Sequence, residues 1–329
     1  MINSKSQTLI TGTYRSGSEY LTLLLDSHPE LSATMYRVNL IRFIFKQYDP
    51  ISNPRNLELA LSDTNKRLFT RYNIQFDYTK VLKKIIGIVS YNYGNIYDAI
   101  MCDLYINENC THWAEKNQLM WREIPTFIGM LPNAKAVHVV RDPRSVLASF
   151  KKYTKYKYPA CISSIFNSYD ALKTAIEQKQ YLYQSVKLIR YEDLIDSSED
   201  IIQEVWKFIG LSTNHDIKKD NFLDSYGKRW FSNSSFHKNI ENDKFDNNSA
   251  KMGWSERLER EEIMLVELVC GELMEFFGYK KIFKNIDESE AIKVFKNDEK
   301  IENYYFNWKN KRVGIEEFPA DPLDKLTWE

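Results

Sequence analysis

Short apolar runs of strand length recur along the chain, and each is followed by a segment whose apolar residues stand three and four positions apart. The three clearest runs are residues 8–11, 136–140 and 186–189. Strand-length apolar runs that alternate with helical patterns are typical of a parallel sheet covered by helices. The pattern predicts an α/β fold with a central parallel sheet flanked by helices in three layers.

Between the first two runs, a long stretch has helical apolar spacing, carried by Leu40, Ile41, Ile44, Phe45, Val81, Leu82, Ile85 and Ile86. We expect a helical lobe over about residues 36–131, inserted into an α/β domain of residues 1–280. A late amphipathic helix that ends before Gly278 should close the core. Residues 281–329 are rich in Lys, Glu, Asp and Asn and are expected to form a charged, poorly packed C-terminal extension with late aromatic anchors.

The composition of the chain argues against several classes of protein. Lys plus Arg equals Asp plus Glu at 45 each, so no whole-molecule field favours nucleic acid or an anionic membrane. No apolar run approaches the ~18 residues of a spanning helix. The N-terminus lacks a signal-peptide pattern, and the four cysteines show neither CxxC spacing nor the density of a disulfide scaffold. We therefore expect a cytoplasmic protein without a metal site.

The segment of residues 11–21 joins the first strand to a helix. Backbone N–H groups at a helix N-terminus bind phosphate-like anions, and Gly12 and Gly17 allow the backbone to approach such a ligand. Ser16 and Ser18 add hydroxyl donors, while Arg15 adds a positive fork suited to oxyanions. The segment predicts an anion site, with an ordinary polar turn as the alternative.

The spacing from Gly12 to Gly17 imitates the Walker loop of nucleotide kinases and NTPases. Ser18 stands where that loop has its Lys, and Glu19 stands where it has the Mg²⁺-binding Ser or Thr. The cation lies inside the loop instead, at Arg15. A transfer that needs no metal is favoured over a kinase reaction, because a sulfonate carries less charge than a phosphoryl group and an arginine can stabilise it.

A local basic island extends from residue 135 to residue 157, with seven basic residues and one acid. Arg141 ends a predicted strand, Asp142 can cap the next helix, and Ser145 and Ser149 follow on one helix face. The carboxyl end of a strand in an open α/β sheet is where ligands bind. The island predicts a second anion site; a capped helix with a solvated basic face is the alternative.

Together the two segments resemble the PAPS-dependent sulfotransferase family, which has a P-loop-like α/β fold and uses 3'-phosphoadenosine 5'-phosphosulfate (PAPS) as donor. Residues 14–18 resemble its 5'-phosphosulfate loop, and residues 141–149 resemble its 3'-phosphate motif. Further agreement lies in residues 27–31, 188–194, 208–211 and 276–279, so the likeness spans roughly residues 7 to 280. The middle lobe is unmatched and would lie on the acceptor side.

The resemblance implies a nucleotide site whose residues are Arg15, Ser16, Gly17, Ser18, Glu19, Tyr20, Arg141, Ser149, Tyr191, Lys251 and Gly253. Residues 15–18 would hold the 5'-phosphosulfate, and Arg141 with Ser149 the 3'-phosphate. Lys251 and Gly253 are similar to a late loop that closes over the nucleotide. Tyr191 would contact the adenine side, with a core tyrosine as the alternative.

The implied reaction is in-line attack of an acceptor hydroxyl or amine on sulfur, with release of PAP and with Arg15 stabilising charge. Glu115 is the leading candidate for the general base, with His112 as the alternative and a salt-bridged surface role as another possibility for Glu115. Two departures bear on this choice. Glu19 replaces a Thr or Ser of the phosphosulfate loop and puts a carboxylate near an anion, so it must pair with a cation, point away or act as base. Residues 35–37 replace a Glu that many relatives carry.

The sequence thus predicts a PAPS-dependent sulfotransferase that requires no metal. A non-catalytic PAPS- or PAP-binding protein is the first alternative, and a nucleotide kinase or NTPase the second. The acceptor is open among a small molecule, a glycan and a lipid, and a homodimer is one expected assembly.

Overall fold

Five parallel strands form the centre of the protein in the order β2-β3-β1-β4-β5. They are β1 (Ser6–Gly12), β2 (Leu31–Met35), β3 (His112–Lys116), β4 (Ala134–Val140) and β5 (Val186–Arg190). The computed structural model describes residues 5–35, 37–153, 161–217 and 251–316. The parallel sheet confirms the predicted fold class, and the three apolar runs of the sequence are β1, β4 and β5.

Two strands, β2 and β3, escape a search for apolar runs. β3 buries a histidine, a glutamate and a lysine, and β2 is a half-buried edge strand. Both pair in parallel register, with Leu31 opposite His112 and Met35 opposite Lys116. The predicted helical lobe of residues 36–131 therefore needs correction, because it contains one strand of the central sheet.

Helices cover both faces of the sheet. In chain order they are α1 (Ser18–Leu25), α2 (Leu40–Phe43), α3 (Pro54–Tyr72), α4 (Tyr78–Ile86), α5 (Tyr93–Tyr105), α6 (Ile124–Met130), α7 (Pro143–Tyr153), α8 (Ser163–Tyr181), α9 (Tyr191–Asp196), α10 (Ser198–Ile209), α11 (Trp254–Arg257), α12 (Arg260–Phe276), α13 (Glu288–Ala291) and α14 (Glu299–Lys311). One layer contains α1, α9 and α10, which bury Leu21, Leu194 and Trp206 against Ile10 and Val137 of the sheet.

The opposite face carries two neighbouring cores. The first packs Leu9 and Trp113 of the sheet against α3, α4, α5 and α6, which form most of the helical lobe. The second packs α7, α8, α12 and α14 around residues such as Phe166 and Leu265. α12 follows the predicted amphipathic pattern, and the chain leaves it through Gly278 in the left-handed region at φ 77°.

The region after residue 281 is packed, contrary to the poor packing expected from its charge. α14 buries Ile301, Tyr305 and Trp308 in the second core, and the backbone N–H of Ile315 donates to the Phe166 carbonyl. These three apolar residues recur at helical spacing, so one face of a highly charged segment suffices to dock it. The aromatic anchors are confirmed.

None of the helices in the described ranges combines the length and the apolarity needed to cross a bilayer. All four cysteines are unpaired thiols, namely Cys102, Cys110, Cys161 and Cys270.

Candidate functional site

The two predicted anion segments leave neighbouring strands at the same edge of the sheet. β1 and β4 are hydrogen-bonded in parallel, with Gly12 opposite Val139, so the loop of residues 13–17 emerges beside Arg141. The carboxyl edge of an open parallel sheet is its usual ligand-binding side.

The loop backbone is shaped by two glycines that no larger residue could replace without displacement. A Cβ at Gly12 would lie 2.5 Å from both the Ser16 hydroxyl and the Val139 carbonyl. Gly17 has φ 91° and caps α1, and a Cβ there would lie 2.0 Å from the Tyr191 ring. Arg15 also has positive φ, at 67°, a conformation that costs a non-glycine residue about 1 kcal/mol or more.

Direct hydrogen bonds join the two segments. Arg15 Nε donates to Ser149 Oγ at 2.9 Å, and Arg141 Nη1 donates to the Arg15 carbonyl at 2.7 Å. The loop of residues 13–17, the end of β4 and α7 therefore meet at Arg15, so the structure brings these predicted residues into one location.

The serines of the loop keep unused hydrogen-bonding capacity. Ser16 and Ser18 are 0% and 1% exposed, and neither hydroxyl has a hydrogen-bond partner within the described ranges. Buried hydroxyls without partners are costly, whereas an anion at the α1 N-terminus would satisfy them together with the first backbone N–H groups of the helix. The loop thus has the donors that a phosphosulfate requires.

Tyr191 provides the wall of the site on the β5 side. It is buried at the start of α9, its ring fills the space above Gly17, and the Arg141 guanidinium stacks 4.2 Å from the ring centroid. Burial raises the pKa of the Tyr191 phenol, while Arg141 opposes that shift. Burial also raises the pKa of Tyr20 to about 12, so both phenols stay protonated donors at neutral pH.

A cation that the sequence reasoning did not single out lies at the end of β3. Lys116 is 0% exposed, and burial lowers the pKa of its ammonium to about 7; Glu19 raises that pKa and Arg15 lowers it. Lys116 is therefore close to the loop, and Glu19 partly compensates its charge. The sequence signal for this cation is the Glu115-Lys116 pair, in which the lysine directly follows the glutamate that was the leading candidate for the base.

More positive charge lies on α7 and α11. Burial lowers the pKa of Lys152, and the neighbouring cations Arg257 and Arg15 lower it further. Like charges so close together repel unless an anion lies between them. The site therefore has a locally positive potential in a chain whose net charge is zero.

The segment that begins at Lys251 contacts α7 through its backbone. The Lys251 carbonyl accepts from Ser145 Oγ at 2.9 Å, and the Lys251 ammonium pairs with Asp196 at 2.5 Å. Gly253 is the N-cap of α11, which packs on α7. Both predicted residues thus lie against α7 and the segment of residues 141–149.

Arg144 contributes to the fold. It is 3% exposed and lies between Asp142 and Glu267, at 2.6 and 2.8 Å, with its guanidinium 4.1 Å from the Trp254 ring centroid. This network joins α7 to α11 and α12. The role of Arg144 is therefore to hold residues 141–149 in place.

Glu115 is a positioning residue in this structure. Its carboxylate is fully buried and accepts hydrogen bonds from the Val38 and Asn39 amides, the Tyr97 hydroxyl and the Asn117 side chain. With its oxygens so occupied, it is poorly suited to take a proton from an acceptor. Glu115 instead holds in place the chain that follows β2.

His112 lies away from the site, and the expectation that it could act as base needs correction. It begins β3 opposite Ser6 and Leu31, at the amino edge of the sheet, while Arg15 follows the carboxyl edge. Its Nδ1 is 2.9 Å from the Thr111 hydroxyl, and burial lowers its pKa. The sequence places His112 only three residues before Glu115, but a strand of that length spans the sheet.

No group of three or more metal-ligating side chains occurs among the described residues.

The family of this chain is shown by a family model rather than by a single relative. A model described as "Sulfotransferase family" matches residues 8–215, which is more than half of the chain. The match includes the loop of residues 13–17, β4, α7 and Tyr191, and it confirms the resemblance inferred from those residues.

Two curated relatives also match. Carbohydrate sulfotransferase 3 of Tetronarce californica is 26% identical over 168 residues, covering 46% of this chain and 37% of that protein. Carbohydrate sulfotransferase 5 of Mus musculus is 22% identical over 179 residues, covering 48% of this chain and 45% of that protein. The chain thus spans less than half the length of the curated relatives it matches.

A solved structure shares the fold. The sulfotransferase domain of the olefin synthase of Synechococcus PCC 7002 superposes with a TM-score of 0.52 and 17% identity, covering 85% of this chain and 97% of that one.

Proposed function

Because the chain belongs to the sulfotransferase family, we propose that it transfers a sulfonate group from PAPS to a hydroxyl of a carbohydrate acceptor. The observation that carries the proposal is the junction at Arg15, where Nε bonds Ser149 and the carbonyl accepts from Arg141. Two anion-binding segments that meet at one residue suit a donor with phosphate groups at both ends of a nucleoside.

Each part of the site has a role in holding the donor. Ser16, Ser18 and the α1 N-terminus would bind the 5'-phosphosulfate, since the two serine hydroxyls are buried without a hydrogen-bond partner among the described residues and the helix N-terminus favours an anion. Arg141 and Ser149 would bind the 3'-phosphate. Tyr191 would flank the nucleotide, and its contact with Gly17 keeps the loop at the right distance from β5.

When bound, PAPS supplies a sulfonate that forms a bond to the acceptor oxygen as its bond to the 5'-phosphate oxygen breaks, the electron pair staying on the phosphate of departing PAP. Arg15 and Lys116 stabilise the charge that grows on the bridging oxygen. Lys116 is suited to this role because a bound anion favours its charged form, although burial holds the pKa near 7 in the free protein.

We assign to Glu19 the role of general base, which accepts the proton of the acceptor hydroxyl. This carboxylate is half-buried at the start of α1 and lies within electrostatic range of Lys116, whereas Glu115 is engaged in four contacts and His112 is at the other edge of the sheet. Replacement Glu19→Gln should lower kcat while the affinity for PAP is kept. An unchanged kcat would remove Glu19 from this role.

The acceptor class is supported by the curated relatives, both of which are carbohydrate sulfotransferases. The cytoplasmic location and the homodimer stay predictions.

Transfer of ³⁵S from labelled PAPS to a panel of oligosaccharides in EDTA tests the proposal. We expect label in the carbohydrate fraction without added metal, and none when PAPS is replaced by labelled sulfate. Tight PAP binding with no transfer to any acceptor would favour the non-catalytic binding protein. A requirement for ATP and Mg²⁺ would favour the kinase.

A further inference from the structure

The chain leaves α14 through residues 312–316, which we call the strap. The strap runs along α8, where the Ile315 amide donates to the Phe166 carbonyl at 3.3 Å. Gly314 lies so close to α8 that a Cβ there would be 2.6 Å from the Cβ of Asp170. The strap is therefore held at a defined position on α8, and it lies beyond residue 215, where the family match ends.

Arg122 joins the strap to the chain that follows β3. Its guanidinium donates to both carboxylate oxygens of Asp170 at 2.7 Å and to the Gly314 carbonyl at 3.3 Å. Its backbone amide donates to Oε1 of Glu316 at 3.4 Å. Both the backbone of the strap and its last side chain are therefore fastened to Arg122.

The turn that precedes Arg122 borders the anion loop. The Leu119 amide donates to the Gly12 carbonyl at 3.1 Å, at the end of β1. Tyr14, which directly precedes Arg15, packs against the small apolar cluster that contains Leu119. The end of the strap therefore lies at the carboxyl edge of the sheet, beside the loop that would hold the sulfonate.

Glu316 brings to this edge a carboxylate with unused hydrogen-bonding capacity. The long bond from the Arg122 amide is the one hydrogen bond that its side chain makes among the described residues. An ionised carboxylate has about four acceptor positions on its two oxygens. Because Glu316 is only half-buried, a ligand with hydroxyl groups has access to the remaining positions.

The charges around Glu316 are mixed. Burial raises the pKa of its carboxyl to about 7, the hydrogen bond and the charge of Arg122 oppose that shift, and Asp170 and Glu123 add to it. Arg42 of α2 is also within electrostatic range of Glu316. The carboxylate is therefore close to the helical lobe as well as to the strap, and a donor that bonds it would favour its charged form.

We propose that Glu316 is an acceptor-binding residue, whose carboxylate accepts a hydrogen bond from an acceptor hydroxyl near the one that is sulfonated, and that the strap holds the carboxylate in place. A carboxylate repels the anionic donor and bonds hydroxyl groups strongly, so its partner is the acceptor. This inference rests on the proposed function and adds a residue from beyond the family match to it. The general base is still Glu19.

Initial rates of ³⁵S transfer at saturating labelled PAPS test the role. The acceptor probes are lactose and N-acetyllactosamine, which are neutral, and whichever oligosaccharide of the panel accepts most label. Glu316→Gln keeps the size of the side chain and removes its charge. The KM for the acceptor should rise about 10-fold while kcat is kept, because the lost hydrogen bond is the same in the ground state and the transition state.

A matched control is Glu177→Gln, which changes an exposed glutamate of α8 and should leave both constants unchanged. An unchanged KM in Glu316→Gln would overturn the inference. A lowered kcat with an unchanged KM would also overturn it, since that result assigns Glu316 to the chemical step.

The pH dependence of KM is a readout that a merely structural role would not move. The pKa of Glu316 is about 7 in the free protein, and a hydroxyl bonded to the carboxylate lowers it. The complex then holds fewer protons than the free protein, so KM should rise as pH falls from 7 to 6, by up to about tenfold. Glu316→Gln should lack this dependence, and an equal slope in both proteins would contradict the role.

Two glycines test the placement by the strap and keep the test valid if Glu316→Gln does not fold. Gly314→Ala puts a methyl group 2.6 Å from Asp170, so it should displace the strap and raise KM although Glu316 is present. Gly129→Ala, in α6, meets nothing within 4 Å and should leave KM unchanged. Equal KM values in the two alanine variants would mean that the strap does not position the acceptor.

Failure of this inference is distinguishable from failure of the proposed function. Transfer of label by the wild-type protein with the same acceptor KM in all variants would overturn the role of Glu316 and leave the sulfotransferase activity standing. Absence of transfer to every oligosaccharide would instead contradict the proposed function.

Discussion

Arg15 combines three structural features in one residue. Its backbone adopts the left-handed region, its carbonyl accepts from Arg141, and its side chain bonds Ser149. A strained backbone is retained when the surroundings determine it more strongly than the strain opposes it. Here the surroundings are the two segments that would hold opposite ends of the donor.

Replacement Arg15→Ala should lower turnover by on the order of 100- to 1000-fold, the usual effect of removing one preorganised charge-stabilising donor. Initial rates of ³⁵S transfer at saturating PAPS would measure it. Arg260→Ala removes an arginine whose ion pair with Glu290 is largely exposed, and should leave the rate unchanged. Wild-type turnover in Arg15→Ala would rule out the assigned role.

The lowered pKa of Lys116 predicts that donor binding depends on pH. The free protein holds its ammonium at a pKa of about 7, and a bound anion raises that pKa, so the complex carries more protons than the free protein above pH 7. The affinity for PAP should therefore fall as pH rises from 7 to 9, by up to about tenfold per unit. Titrations of PAP at several pH values would measure it.

The matched variant Lys116→Met has no ammonium to protonate. Its PAP affinity should be weaker at pH 7 and nearly independent of pH up to pH 9. If wild-type protein and Lys116→Met showed the same slope, Lys116 would not be coupled to the donor.

The turn between β1 and α1 offers a controlled test of packing against Tyr191. Gly17 and Gly210 have almost the same positive φ, 91° and 89°, but a Cβ meets the Tyr191 ring only at Gly17 and meets nothing within 4 Å at Gly210. Gly17→Ala and Gly210→Ala thus share a backbone cost of about 1 to 2 kcal/mol and differ in the collision.

Both variants should be somewhat less stable than wild type, since alanine is strained at positive φ. PAP should raise the melting temperature of Gly210→Ala as much as that of wild type, and should have little effect on Gly17→Ala because the loop must move away from Tyr191. An equal PAP-induced shift in both variants would mean that the close fit between loop and α9 is unimportant for binding.

Elements whose sequence pattern is unambiguous were predictable, and those with buried polar residues were not. The apolar runs identified β1 and β4 because central parallel strands are buried on both faces, and they identified β5 through Val186, Leu188 and Ile189, although this edge strand is only partly buried. β3 was missed because its Glu115 and Lys116 serve opposite faces, one holding the chain at Val38 and the other facing the anion loop. The contacts that bury these charges join residues distant in sequence, which no local pattern records.

The grouping of the loop residues was predictable for a related reason. Arg15, Ser16 and Ser18 lie in one short turn, so their spacing alone indicates convergent donors. The exclusion of His112 was not predictable, because His112 stands only three positions before Glu115 in the sequence while the strand carries them to different edges of the sheet.

The helix α14 packs against the second core of the molecule. Its charged composition alone predicts that it would stay unpacked. Trp308 is 5% exposed and contacts Tyr169 of α8 and Tyr305, with ring centroids 6.2 and 5.4 Å away. Phe306 lies on the same helix and is 60% exposed. The helix therefore supplies two aromatic residues of similar kind in opposite environments.

Trp308→Ala should lower the free energy of unfolding by about 3 to 5 kcal/mol, the usual cost of deleting a buried aromatic side chain. Phe306→Ala should change it by less than about 0.5 kcal/mol, as exposed substitutions do. Urea unfolding monitored by circular dichroism compares the two. Equal stabilities would mean that α14 is not part of the cooperative core.

The central claim is that the anion loop and the β4–α7 segment form one nucleotide pocket, and isothermal titration of PAP against 5'-AMP into EDTA-treated protein tests it most directly. The account predicts that PAP binds at least about tenfold more tightly than 5'-AMP, through charge-assisted bonds to its 3'-phosphate, and that Ser149→Ala reduces this advantage without weakening 5'-AMP. Equal affinities for the two nucleotides, or a PAP advantage unaffected by Ser149→Ala, would contradict it.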